Sequence, residues 1–131
     1  MSEWIWVSLA ALYVVHDRQI ARHGGAPGTR DPALLEMGCA RALNRAAYED
    51  TDVFAIAAAY AYGIAKAHAF VDGNKRTAFV AAFTFLRLNS VFLRPDPGVG
   101  VRMMEELASD QASEEAFAAW LRDLASQTDL I

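Results

Sequence analysis

The stretch VFAIAAAYAYGIAKAHAFVDGNKR, residues 53–76, decides the fold. Between Val53 and Ala67 only Gly63 and Lys66 fall outside the apolar set, so a helix over these residues has no polar face to give to water and must run through the centre of the protein. Asp52, directly before it, is suited to cap its N-terminus. The pattern then breaks abruptly. His68, Asp72, Asn74, Lys75 and Arg76 crowd into nine residues, after which Phe79, Val80, Phe83, Phe85, Leu86 and Leu88 predict a second, mostly buried helix from about Asn74 to Asn89. Two buried helices therefore flank one short polar loop.

Working outward, Leu9, Leu12, Tyr13, His16 and Ile20 recur at helical spacing behind Ser8 as N-cap, and Gly24-Gly25 stops that first helix. Residues 24–30 hold too much Gly and Pro for regular structure. Asp31 and Pro32, a cap followed by proline at the first helical position, open a second helix to about Tyr48. Downstream, residues 91–93 are irregular, since Pro95 and Pro97 exclude a continuing helix. Two amphipathic helices follow, at about 99–109 and 113–126, the second with Phe117, Trp120, Leu121 and Leu124 on one stripe. Alanine, the best helix former, supplies 26 of the 131 residues. The expectation is an all-α single domain, residues 1–131, of about six helices.

Charge and composition narrow the function. A formal net charge of −4 argues against direct, general nucleic-acid binding, which needs an excess of Lys and Arg over a broad face. The single cysteine, Cys39, cannot form an internal disulfide or a cysteine-based zinc site and reads as a small buried residue in a reducing cytosol. The apolar run at residues 5–15 follows Glu3 rather than a basic segment, which speaks against a secretion signal. The longest membrane-like run, 53–65, is well short of the ~20 residues of a bilayer span. The chain reads as soluble and cytoplasmic, with no membrane partner. Trp4, Trp6 and Tyr13 read as core aromatics in preference to the lining of a partner-binding groove, and His16 as a buried, satisfied core residue; neither His16 nor His23 has carboxylates at metal-ligand spacing.

The polar loop carries the chemistry. Lys66, Lys75 and Arg76 are three cations against one carboxylate, Asp72, in a chain that is acidic as a whole, so the natural partner is an anion with a metal. Gly73 permits a sharp turn, and the backbone N–H groups that open the following helix form an anion cradle. The helix dipole supplies only about 0.3 to 1 kcal/mol to a phosphate there, so Lys75 and Arg76, the latter able to grip oxygens bidentately, must supply most of the attraction. Asp72 is a hard oxygen ligand suited to Mg²⁺, which completes its shell with phosphates and water, and this implies a nucleotide substrate. His68, at the mouth of the cradle, is suited by its near-neutral reference pKa to take a proton from an incoming hydroxyl. Phe70 is placed to anchor the loop in the core.

At this point the sequence resembles a known family. His68-x-Phe70-x-Asp72-Gly73-Asn74-x-Arg76 is similar to the Fic signature His-x-Phe-x-Asp/Glu-Gly-Asn-Gly-Arg, and Lys75, where most Fic proteins have a second glycine, resembles the Doc (death-on-curing) branch of the Fic/Doc family. His16-Asp17, His23-Gly24-Gly25, Asp31-Pro32 and Ala47-Tyr48-Glu49 also look Doc-like, and the resemblance covers roughly residues 9 to 90. It implies a Fic-type helical domain with His68 as catalytic base, Asp72 as Mg²⁺ ligand, and Gly73, Asn74, Lys75 and Arg76 as the nucleotide- and phosphate-binding set, to which the charge pattern adds Lys66; Arg76 is counted with His68 and Asp72 among the catalytic residues. It further implies a toxin that uses ATP and Mg²⁺ to phosphorylate a threonine of elongation factor Tu, and a Phd-like antitoxin whose C-terminal segment lies in a groove of the toxin. The loop at 24–30 matches the flap that positions a target peptide in Fic proteins.

Two other readings compete with the kinase: transfer of AMP to a protein hydroxyl, as typical Fic enzymes do, and a non-catalytic protein that acts by complexing an antitoxin on DNA. Lys75 separates the first two, because a long charged side chain removes the close backbone approach an α-phosphate needs. No Gly-x-x-x-x-Gly-Lys-Ser/Thr is present, so phosphoryl transfer by a P-loop is excluded.

Overall fold

The computed structural model describes residues 3–129; residues 1–2 and 130–131 of the expected domain lie outside them. Six helices account for its regular structure: α1 (Leu9–His23), α2 (Pro32–Ala46), α3 (Val53–Ala67), α4 (Asn74–Leu88), α5 (Pro97–Ala108) and α6 (Glu114–Asp129). The chain is all-α, as its alanine-rich composition predicts, and α3 takes the bounds read from its apolar run. The ends of α2, α5 and α6 shift by one to three residues from those read from the sequence, within the ordinary fraying of helix termini.

The caps explain where helices begin. The side chains of Ser8, Asp31, Asp52 and Asp96 accept hydrogen bonds from the first amides of α1, α2, α3 and α5, and Ser113 Oγ accepts from Ala116 N at the start of α6. Asp52 also receives two hydrogen bonds from Arg122, binding the beginning of α3 to α6.

α3 is the axle of the fold. Residues from Ala55 to Ala61 and from Gly63 to Ala65 are buried, and it contacts α2, α4, α5 and α6. Its approach to α2 requires two facing glycines: a Cβ added at Gly63 would stand 2.2 Å from Gly38 O, and one at Gly38 2.8 Å from Gly63 O. Cys39, one residue on, is buried, and desolvation pushes its thiol up to about 11, so it behaves as the small apolar residue expected.

α4 departs from the expectation of a mostly buried helix. Thr77, Ala78, Ala81, Ala82, Phe85 and Leu86 are buried along one side, whereas Phe79, Val80 and Phe83 are only partly covered and Leu88 is exposed. The reason is geometric: α1 and α3 cover one flank of α4, while α5 leaves part of the other open as a groove. Trp4 and Trp6, read from sequence as core, are partly buried and pack against the core's edge, with ring centroids 6.1 and 5.6 Å from Phe85.

Gly63→Ala should therefore lower the unfolding free energy by about 1 to 3 kcal/mol, the usual cost of overpacking a rigid contact. Urea unfolding measures it; wild-type stability in the variant would show that α2 and α3 can separate without loss.

Candidate active site

The polar loop between α3 and α4 is built from backbone geometry upward. α3 ends at His68, which adopts the left-handed conformation at φ 51°, ψ 44°, a placement that disfavours any residue but glycine by about 1 to 2 kcal/mol. Surrounding contacts hold it there. Arg30 Nη1 donates to the His68 carbonyl at 2.8 Å, and the next carbonyl, of Ala69, accepts from Arg30 N at 2.7 Å and Asp31 N at 3.3 Å. Val71 N donates to Gly28 O at 3.1 Å, so Thr29 and Phe70 form an isolated antiparallel bridge. The loop at 24–30 is thus stitched along the candidate catalytic loop.

Phe70 is the anchor. It is 1% exposed, with the His16 ring stacked on one face at 3.8 Å between centroids and Tyr13 edge-on at 5.9 Å. Asn74 holds the same residue from the other side: its Oδ1 accepts from Phe70 N at 3.0 Å and its Nδ2 donates to Phe70 O at 2.9 Å. This refines the sequence reading. The Asn74 side chain is committed to shaping the loop, and what it leaves for a phosphate is its backbone amide.

Gly73, at φ 78°, turns the chain into α4, and α4 is the helix among the six with no side-chain cap on its first amides. The N–H groups of the first turn remain available to an anion. Asp72 stands beside them. Its Oδ1 accepts from Gly73 N at 2.8 Å and its Oδ2 from Ala26 N at 3.3 Å; these two bonds, helped by the nearby Arg76 and His16, hold its carboxyl below the usual range. It is an exposed, ionised carboxylate with lone pairs to spare.

His68, Asp72, Gly73, Asn74, Lys75 and Arg76 line one cavity of about 400 Å³, closed on the far side by Glu105, Ala108 and Ser109. Arg76 donates one N–H to Gly24 O at 2.9 Å and keeps its other donors. Lys66, counted from sequence among the phosphate-binding cations, does not join them. Its ammonium turns to the α5–α6 connection, donating to Asp110 Oδ2 at 2.7 Å and Ala108 O at 3.2 Å. Lys66 lies in the last turn of α3 and meets its carboxylate partner 44 residues on, a pairing that spacing within the loop could not reveal.

A second, larger cavity of about 620 Å³ adjoins the first and shares Lys75, Arg76 and Glu105 with it. It runs between α4 and α5 and is walled by Phe79, Val80, Pro95, Pro97, Val101 and Met104, with Arg22 and His23 at its edge. No cluster of three or more His, Cys, Asp or Glu occurs among the described residues, so a divalent ion here would depend on substrate oxygens as well as on Asp72.

A family profile described as the Fic/DOC family matches residues 6–86. The chain belongs to the Fic/DOC family. Among its relatives, "Protein kinase doc" of Escherichia phage P1 is 42% identical over 92 residues, covering 70% of this chain and 73% of that protein. "Toxin Doc" of Mycolicibacterium smegmatis is 38% identical over 109 residues, covering 79% of this chain and 82% of the relative. The Fic/DOC match contains the whole candidate catalytic loop, the 24–30 loop and α1, the elements joined in the contacts above. Sequence reasoning missed Arg30 and Glu105 as neighbours of the site. Arg30 sits in a loop whose register no periodicity fixes, and Glu105 lies on an amphipathic helix where an exposed glutamate is unremarkable.

If the Asn74 side chain shapes the loop, Asn74→Ala should lower stability by about 1 to 3 kcal/mol, because it leaves the buried Phe70 amide and carbonyl unpaired. Denaturant unfolding without nucleotide measures this. A side chain that serves only to bind phosphate would leave that stability unchanged.

Proposed function

We propose that this Fic/DOC protein is a cytoplasmic Doc-like toxin and an ATP-dependent protein kinase that transfers the γ-phosphoryl group to a threonine hydroxyl of elongation factor Tu, halting translation. The observation that carries the reading is the shared rim of the two cavities: an uncapped helix start with Lys75 and Arg76 beside it, next to Asp72 and His68. The name of the phage P1 relative, a protein kinase, points the same way.

The donor set fits Mg²⁺ held jointly with a nucleotide. Asp72 offers a hard, ionised oxygen ligand, and a single carboxylate is what such a site requires when phosphates complete the shell. When bound, the ion supplies charge neutralisation to the phosphates. The chain's own residues do the rest. The first amides of α4, Lys75 and Arg76 orient the phosphate oxygens and offset their charge. His68 accepts the proton of the threonine hydroxyl as its oxygen bonds to the γ-phosphorus, the bond to the β-bridging oxygen breaks, and ADP leaves. Lys75 selects this outcome over AMP transfer: its side chain stands where the Fic signature has a glycine and fills the space an α-phosphate would need.

The apolar groove between α4 and α5 is suited to the antitoxin. Its walls are apolar and its edge carries Arg22, Lys75 and Arg76, so an amphipathic, acidic C-terminal segment would bury its apolar side chains there while its carboxylates meet cations of the phosphate site. Occupancy would block the nucleotide directly, without a conformational relay.

Incubation of the protein with elongation factor Tu and either α- or γ-labelled ATP tests the proposal. The expected result is label on a threonine from γ-labelled ATP only, lost in His68→Ala together with toxicity in a growth assay. Transfer from the α position would make the protein an AMP transferase. Full toxicity of His68→Ala would point to the non-catalytic reading.

A further inference from the structure

We propose that His16 is a positioning residue for the Asp72 carboxylate, acting through the main chain of the catalytic loop. The inference rests on the reading of Asp72 as the carboxylate of a metal–nucleotide site and adds a residue on α1 to it.

His16 is 3% exposed, one of two buried polar side chains among the described residues. A buried histidine is most often a satisfied core residue, and this one is satisfied, but by an unusual partner. Its Nε2 lies 2.8 Å from the carbonyl oxygen of Asp72, 56 residues on in sequence. A carbonyl only accepts, so Nε2 carries the hydrogen. The ring is fixed by a second directional contact, its stack on Phe70 with 8° between the planes. Its edge also borders the turn: a Cβ built on Gly73 would lie 3.6 Å from His16 Cδ2. One imidazole therefore underlies Phe70, Asp72 and Gly73, three of the four residues that take the chain from the loop into α4.

The consequence for Asp72 follows from covalent geometry. Residue 72 is exposed, and its carboxylate is held by two hydrogen bonds, one of them to Ala26 N at a long 3.3 Å. These restrain the side-chain torsions and leave the peptide plane that sets the direction of the Cα–Cβ bond to other contacts. The His16 bond to the Asp72 carbonyl fixes that plane. Outer-shell partners that orient metal-binding side chains commonly change metal affinity by about 10- to 100-fold when removed, which sets the scale for this contact.

The test uses the full chain and Mn²⁺·ATP as the probe, with binding followed by electron paramagnetic resonance and no catalytic turnover required. His16→Phe keeps the aromatic stack and removes the donor; His16→Gln restores a donor at a similar reach. His16→Phe is expected to weaken Mn²⁺·ATP binding by about 10-fold or more, and His16→Gln to recover most of the loss. Wild-type binding by a folded His16→Phe overturns the proposal. Should His16→Phe not fold, His16→Gln decides: near-wild-type binding supports a donor role, and a loss as large as that of Asp72→Asn overturns it. Asp72→Asn separates the two levels. If it binds the probe as wild type does, the functional reading of Asp72 fails and the inference with it; if it loses the probe while His16→Phe does not, the inference alone fails.

Discussion

Everything at the site depends on the burial of one side chain, Phe70, in the middle of a loop that is otherwise polar. The nine-residue stretch from His68 to Arg76, bearing two cations, a carboxylate, a histidine and an asparagine, has little reason of its own to hold one shape. Phe70 gives it one. Placed under His16 and Tyr13, with its amide and carbonyl closed by Asn74, it fixes the loop relative to α1 on one side and α4 on the other. Helix burial then determines where His68 and Asp72 emerge. The anchoring is apolar while the chemistry is ionic, so the loop can present unneutralised charge without losing its conformation.

The second constraint is the bare start of α4. Five helices close their first amides with serine or aspartate side chains, and α4 begins at Gly73 without such a cap. A cap residue there would stabilise the isolated helix and occupy the amides an anion needs. The sequence forgoes that stabilisation at the one turn where Lys75, Arg76 and Asp72 converge. Lys66 shows the same economy in reverse: its charge is used to hold α3 to the α5–α6 connection, so the cations of the proposed phosphate site are limited to those that follow Gly73.

Much of this was legible in the sequence, for identifiable reasons. The bounds of α3 follow from a run with no polar face and an aspartate before it, and the cluster from His68 to Arg76 stands out because such groups are costly to place between two apolar helices. What was not legible is long-range. Nothing local shows that Arg30 closes on His68, that Asp110 draws Lys66 away, that Glu105 borders the cavity, or that the partner of His16 is the Asp72 main chain, because each pairing spans 29 to 56 residues and is set by helix packing. The apolar face of α4 was overread as burial for a related cause. Periodicity identifies residues that avoid water, and does not distinguish a face covered by the fold from one left open as a groove.

The central claim is that the start of α4 and the loop before it form a nucleotide site, and amide chemical shifts of the isotopically labelled protein during titration with Mg²⁺·ATP test it most directly. The account predicts the largest shifts at His68 and at Gly73, Asn74, Lys75 and Arg76, with smaller ones along the 24–30 loop stitched to them. Shifts concentrated elsewhere, as on the outer faces of α2 and α6, or none at saturating nucleotide, would contradict it.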